Sequence, residues 1–248
     1  MDRFHCIEIP LPPIKDQKRI VNKIKSVEEK LQKIQMLNTE QEKDIKNTLF
    51  SLYTDLIKDA EMMQMSEIAP IIRRPAEIIE TEEYPELGIR CFGKGTFHKP
   101  ALNGIEVGTK KLFQIKTGDV IFSNVFAWEG GIAIAKENDN DRFGSHRFIS
   151  CLCETKKIIN SFLLFHFLTH KGLEEIQRCS PGGAGRNKTL GLKKLESILV
   201  PVPSKEKQIE FIKHLNRFEQ LKIQREERNR EIAELIPSML DKAFKGEM

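Results

Sequence analysis

The sequence predicts an α+β protein in which one mixed α/β domain is inserted between two long α-helices that pair as a coiled coil. Three observations lead there. A Pro-x-Pro stretch followed by a charged segment occurs twice in the 248 residues, at a shift of 191 positions. Each copy runs on with apolar residues at steps of three and four, the spacing of a helix seam. Between the copies the texture changes to short apolar runs separated by Gly- and Asx-rich turns.

The repeat sets the boundaries. Ile9-Pro10-Leu11-Pro12-Pro13-Ile14-Lys15-Asp16-Gln17 aligns with Val200-Pro201-Val202-Pro203-Ser204-Lys205-Glu206-Lys207-Gln208, so that Pro10, Pro12 and Gln17 fall on Pro201, Pro203 and Gln208. Residues 1–15 form a lead-in, with Phe4 and Ile7 to Ile9 as a short strand. The prolines lack amide donors and hold the chain extended, so helix starts after them, over residues 16–60. Its seam places Ile24, Leu31, Asn38, Ile45 and Leu52 in successive a positions, with Ile20, Val27, Ile34, Gln41 and Thr48 between them. A helix of that length, roughly 60 Å at 1.5 Å per residue, exceeds what a globular core needs. A coiled coil explains the sustained seam, and a solvated single helix does not.

The second helical segment, residues 201–248, repeats the pattern through Phe211, Leu215, Phe218 and Leu221, then Ile232, Ile236, Met239 and Ala243. Asn229 falls on Asn38, so both copies carry an amide at one a position, where a polar residue fixes register at some cost in stability. Two amides facing water are the alternative. Pro237 predicts a kink near the end of this helix.

The central block, residues 61–200, has strand-like runs at Gly88–Phe92, Lys111–Ile115, Asp119–Phe122, Gly131–Ala135 and Phe148–Cys153. Ile158–Leu168, Gly172–Arg178 and Leu190–Glu196 read as helices.

Composition narrows the functional classes. No apolar run reaches membrane-spanning length and no signal peptide opens the chain, which predicts a cytoplasmic protein. Five scattered cysteines point to reduced thiols, and Cys151 with Cys153 lacks a second pair at metal-ligand spacing. The net charge of +4 is weak, and residues 59–200 carry 19 basic and 18 acidic side chains, so a polyanion partner would have to be met by arrangement and not by total charge. Nucleotide-binding, metalloprotease and nucleophile-elbow motifs are absent from the sequence. No metal site is expected, and the chain is not expected to be an enzyme.

What remains is a set of polar loops in the central block. One holds Lys94, Thr96, His98 and Lys99; another Asn124, Trp128 and Glu129; a third Arg142, Ser145, His146 and Arg147; a fourth Arg186, Asn187 and Lys188. Arg and Asn suit bidentate contact with guanine and adenine edges, and Lys suits phosphate. Ordinary surface side chains are the competing explanation. Trp128 reads as packing.

The doubled Ile/Val-Pro-x-Pro-x-x-x-x-Gln motif, the ending Met239-Leu240-Asp241-Lys242-Ala243-Phe244-Lys245-Gly246-Glu247-Met248, and the internal Gly118-Asp119-Val120-Ile121, Gly130-Gly131-Ile132-Ala133 and Gly183-Ala184-Gly185 stretches resemble the specificity (S) subunit of type I restriction-modification systems. The resemblance covers essentially the whole chain, in a half-length form with one target recognition domain at 61–200. It implies that the two helical regions pair antiparallel, set the spacing of a bipartite double-stranded DNA target and dock methyltransferase (M) subunits, and through them the restriction (R) subunit. S-adenosylmethionine and ATP would belong to those partner subunits, with no cofactor in this chain. Residues 1–9 then read as the last strand of a missing first recognition domain, and two copies could associate as a homodimer that reads a symmetric target. The implied DNA-binding residues are Lys94, His98, Lys99, Asn124, Arg142, Ser145, His146, Arg147, Arg186, Asn187 and Lys188. The implied coiled-coil seam is Ile24, Leu31, Asn38, Ile45, Leu52, Leu215, Phe218, Asn229 and Ile236. A coiled-coil scaffold that binds protein without reading DNA is the alternative from another class.

Overall fold

The structure is a computed structural model, and it describes residues 11–182 and 188–245. The expected N-terminal strand therefore lies outside the described residues. In chain order the elements are α1 (Ile14–Ile57), β1 (Glu61–Gln64), α2 (Met65–Ile68), β2 (Ile71–Ile72), β3 (Glu83–Ile89), β4 (Thr96–Asn103), α3 (Gly104–Val107), β5 (Leu112–Gln114), β6 (Val120–Ser123), β7 (Ile132–Ile134), β8 (Phe143–Ser145), β9 (Phe148–Cys151), α4 (Asn160–Leu168), α5 (His170–Arg178), α6 (Leu192–Glu196), β10 (Leu199–Val202), α7 (Lys205–Ala233) and α8 (Leu235–Phe244). Short 3-10 turns lie at Ala127–Glu129 and Glu137–Asp139. The α+β class expected from the sequence is the one observed. Contacts divide the chain into two units, residues 1–51 with 214–248, and residues 52–213.

In the first unit the helical segments run antiparallel. Gln35, Asn38 and Glu42 of α1 share a groove with Lys222, Arg225 and Asn229 of α7, and further along α1, Ile45 and Leu49 share one with Leu215 and Phe218. Asn38 Nδ2 donates to Asn229 Oδ1 at 3.0 Å across 191 residues of sequence. That separation equals the repeat shift, which has a geometric meaning. In an antiparallel pair of equivalent segments, only the residue on the internal two-fold axis meets its own counterpart. Asn38 and Asn229 mark that axis, and an amide can act there as donor and acceptor toward its own kind. The pair is not sealed from water, since Asn38 is half-buried and Asn229 exposed. Arg225, 7% exposed, closes one side by donating Nη1 to Asn38 O at 3.0 Å.

The seam departs from strict heptads after Ile45. Leu52 is 37% exposed, whereas Leu49 and Tyr53 are at 9% and 3%. A 3.6-residue turn drifts against a 3.5-residue repeat, and a four-residue step from Ile45 to Leu49 restores the stripe. Leu52 is therefore corrected from the seam to the surface. In α7 the same drift exposes Leu221 at 42% and turns Arg225 inward. Ile24, Leu31, Ile45, Leu215, Phe218 and Ile236 are half-buried. The second arm breaks at Glu234 between α7 and α8, and Pro237 sits in the first turn of α8, where a proline cannot continue the bonding pattern back to Ala233, the last residue of α7.

In the second unit, β1 pairs with β10 and so brings together the two places where the chain enters and leaves the domain. Pro201 is tolerated in β10 because a two-stranded ribbon leaves an unpaired edge. One four-stranded sheet has the order β2-β9-β6-β7 and the other β4-β3-β8-β5. Leu87 and Ile89 from β3 meet Ile121 from β6 and Phe148 from β9, joined by Ile115 and Ala135, so one apolar cluster links the two sheets. The sequence reading of Gly88–Phe92 as a strand is corrected: β3 ends at Ile89 and residues beyond it form a turn. His98 and Lys99 lie not in a loop but on β4, an edge strand whose pattern lacks alternation and contains Pro100.

The Pro-x-Pro-x-x-x-x-Gln motif has a local purpose in both copies. Gln17 Nε2 donates to Pro12 O at 2.8 Å, and Gln208 Nε2 donates to Pro203 O at 2.8 Å. Each glutamine thus fastens the start of its helix to the proline carbonyl five residues back. Gln208, fully buried, also donates to Lys157 O and accepts from Ile159 N at 2.9 Å each, tying α7 to the segment before α4.

Two other buried polar groups organise this unit. Asp119, 0% exposed, receives both Arg74 Nη1 and Nη2 at 2.6 and 3.0 Å, with Lys116 N at 3.1 Å. The Gly118-Asp119 stretch is therefore structural. Tyr53 packs among Phe162, Phe165 and Phe211, with its hydroxyl 2.6 Å from His166 Nδ1. Burial, followed by the Glu175 charge, raises the Tyr53 hydroxyl above its ordinary range.

Candidate nucleic-acid interface

The connection from β6 to β7, residues 124–131, is where distant segments meet. Asn124 N donates to Arg147 O at 2.7 Å, and Leu190 N donates to Asn124 O at 2.8 Å. The 3-10 turn Ala127–Glu129 carries Trp128, whose indole is fixed by a bond from Nε1 to Val125 O at 2.9 Å. Lys188 Nζ stands 4.7 Å from that ring's centroid, within cation–π range. Phe92 N and Gly93 N donate to Glu129 O and Gly130 O at 2.8 and 2.9 Å, which brings the loop carrying Lys94 to the same turn.

Glycine at 130 and 131 is required by this convergence. Gly130 has φ 74°, and a Cβ on Gly131 would lie 2.8 Å from Phe126 O.

Of the residues singled out in the sequence, the fold gathers Lys94, Asn124, Ser145, His146, Arg147 and Lys188 on segments that meet at this connection. Ser145 Oγ accepts from Arg147 N at 3.3 Å and so shapes the turn that presents His146 and Arg147, both exposed. The Arg147 guanidinium makes no hydrogen bond or ion pair among the described residues. Asn124 is less available than expected, because its Oδ1 is buried and has no partner among the described residues. Trp128 is half-buried, packed in its turn with Lys188 over its ring. Arg186 and Asn187 lie outside the described residues.

Two expected contacts have other duties, and a third lies elsewhere. His98 Nε2 lies 2.9 Å from Asp139 Oδ1, and Thr96 Oγ1 donates to Asp139 Oδ2 at 2.8 Å. Arg142 is half-buried and directs Nη1 toward Glu86 O at 3.4 Å. Lys99 is exposed on β4, away in sequence from the converging turn. His98 and Thr96 hold β4 to the Glu137–Asp139 turn, and Arg142 reaches the β3 backbone, long-range roles that residue type alone does not reveal.

Asp139 gives a pH signature. Burial alone would raise its carboxyl, but the Lys136 amide, followed by His98 and Thr96, outweighs burial and holds it below the usual carboxylate range. Stability from a depressed carboxylate is fully present above the unfolded value, about 3.9, and is lost as pH falls through the folded one. Asp139→Asn is therefore expected to flatten the acid limb of the thermal midpoint below about pH 4. An unchanged acid limb in the variant would count against this network.

The thiols in this unit are quiet. Burial is the main cause that raises Cys151 and Cys153, the latter to about 12. Among the described residues no group of three or more His, Cys, Asp or Glu is placed to hold a metal ion.

A family model described as the type I restriction modification DNA specificity domain matches residues 57–234. The chain belongs to this family. Solved structures agree on the fold of this type I specificity chain. The HsdS subunit from Thermoanaerobacter tengcongensis is 17% identical at a TM-score of 0.58, covering 97% of this chain and 61% of that one. A chain from a structure concerned with complex assembly and conformational transition of the type I R-M system is 20% identical at 0.61, covering 97% and 62%. The type I S subunit from M. genitalium is 16% identical at 0.51, covering 93% and 61%. The chain thus spans about three fifths of the length of these subunits. No curated protein matches the sequence.

Proposed function

We propose that this chain reads DNA sequence for a type I restriction-modification complex through the surface centred on the β6–β7 connection. The supporting observation is the convergence there of an exposed Arg147, Lys188 on Trp128, and Lys94, drawn from parts of the chain up to about a hundred residues apart. Arginine offers a bidentate fork to a guanine edge, and the lysines neutralise phosphate. The antiparallel helical segments dock M subunits and set spacing. The chain performs no chemistry itself; S-adenosylmethionine and ATP are used by the M and R subunits. The site of action is the cytoplasm, consistent with the finding that no helix among the described residues is long and apolar enough to cross a membrane. Two copies associate around M subunits and read a symmetric target.

The test reconstitutes the chain with its M subunits, maps the methylated motif by single-molecule sequencing and titrates duplexes over a salt series. Arg147→Ala is expected to relax one base position, with a loss of about 1–3 kcal/mol of discrimination. Lys94→Ala should instead weaken all duplexes alike and reduce the salt slope by about 1. Unchanged target choice in Arg147→Ala would remove the assignment of that residue. Assembly with M subunits and no duplex binding at any salt would favour the scaffold role.

A further inference from the structure

The turn after β3 holds a residue that neither base-edge hydrogen bonding nor phosphate contact employs. Phe92 is 74% exposed and sits at φ 61°. A bulky side chain adopts that left-handed backbone only where its surroundings impose it.

Here they do. Phe92 N and Gly93 N are pinned to Glu129 O and Gly130 O, and Arg90 N closes the base of the loop on Gly95 O at 2.9 Å. Gly93, at φ 64°, continues the left-handed turn and packs against the Leu168 side chain, where a Cβ would lie 2.6 Å from Leu168 Cδ1. A Cβ on Gly130 would come within 3.3 Å of Phe92 Cα. Folding alone gives no reason for a phenylalanine at this point. Glycine would relieve the backbone, and an apolar ring held in water gains nothing from the hydrophobic effect. The loop therefore presents the ring outward on a fixed base.

Its neighbours supply the chemistry of the partner. Lys94 Nζ lies 5.9 Å from the Phe92 ring centroid, and the turn that anchors Phe92 also carries Trp128 under Lys188. An apolar ring with one cation beside it and another on the turn that anchors it matches a nucleic-acid groove, where cations grip phosphates while a wedge enters between base pairs and partly unstacks them.

We propose that Phe92 is a wedge that inserts at one base step of the bound duplex and unstacks it. The proposal rests on the DNA-reading role given above. It adds a specificity device without hydrogen bonds: pyrimidine–purine steps unstack most readily, so the complex prefers targets that place such a step under Phe92.

The experiment uses the full chain assembled with M subunits and a duplex bearing the mapped motif, with 2-aminopurine replacing one adenine at a time. Fluorescence rises where stacking is lost. The wild-type complex is expected to raise it at one step, and Phe92→Ala to abolish the rise with a loss of target affinity of about 5- to 150-fold. Phe92→Gly, which relieves the backbone, should give the same loss without lowering the melting temperature, so that unfolding is not the cause; Phe92→Trp should restore the rise. Selective binding with no fluorescence change at any position, or a rise that persists in Phe92→Ala, overturns the wedge and leaves the reading role standing. Absence of any sequence-selective binding by the wild-type complex overturns both.

Discussion

Arg74→Ala is expected to destabilise the residue 52–213 unit by about 3–5 kcal/mol. Asp119 has no exposed side-chain surface, and Arg74 is 21% exposed. Nη1 donates to Oδ2 at 2.6 Å and Nη2 to Oδ1 at 3.0 Å, a fork that holds geometry as well as charge. Removing the arginine leaves a buried carboxylate with the Lys116 amide as its remaining donor in this network. The pair as a whole contributes much less than that loss, since burying two charges costs desolvation. Arg74→Met with Asp119→Leu should therefore recover a large part of the stability lost in Arg74→Ala. Urea denaturation followed by tryptophan fluorescence measures this well, because Trp128 lies in the same unit. Arg73→Ala is the control: it loses a bond from Nη1 to Phe148 O at 2.7 Å and its stacking over Phe113, and leaves no buried charge. Equal losses at 73 and 74 would sink the assignment.

The second large effect compares two copies of one motif. Gln208→Ala is expected to cost about 2–3 kcal/mol, because it leaves Pro203 O without this donor in a buried position and also removes the part-buried bonds to Lys157 O and Ile159 N. Gln17→Ala removes the bond to Pro12 O from a half-buried side chain and should cost about 1 kcal/mol or less. Chemical denaturation of each variant decides it. Similar losses would mean that the motif acts only through its helix start and not through Gln208's bonds to the α4 lead-in.

Much of the architecture is legible in the residue order. Heptad spacing marks long helices because a helix brings every third and fourth residue to one face, and α1 occupies Ile14–Ile57 where residues 16–60 were expected. The central strands β5, β6, β7 and β9 are legible for the same local reason. Strand β4 is not, since an exposed edge strand has no buried face to impose alternation. Leu52 and Leu221 mislead because strict heptads cannot be kept on a straight helix, and where the stripe slips is set by the opposing helix.

The candidate interface divides along the same line. Residue type marks Arg147, Lys94 and Lys188 as candidates. It cannot separate them from His98 and Arg142, whose partners Asp139 and Glu86 are 41 and 56 residues away. Phe92 is invisible as anything but the end of an apolar run until its backbone angle and exposure are known.

By itself, then, the sequence determined the duplicated helical arms, the inserted α/β domain and the resemblance to type I specificity subunits, because periodicity and turn chemistry act over a few residues. The tertiary structure decided that Asn38 meets Asn229 on an internal two-fold axis, which basic side chains converge on the β6–β7 connection, and that Phe92 faces outward. These depend on contacts between segments far apart in the chain, which local pattern does not encode.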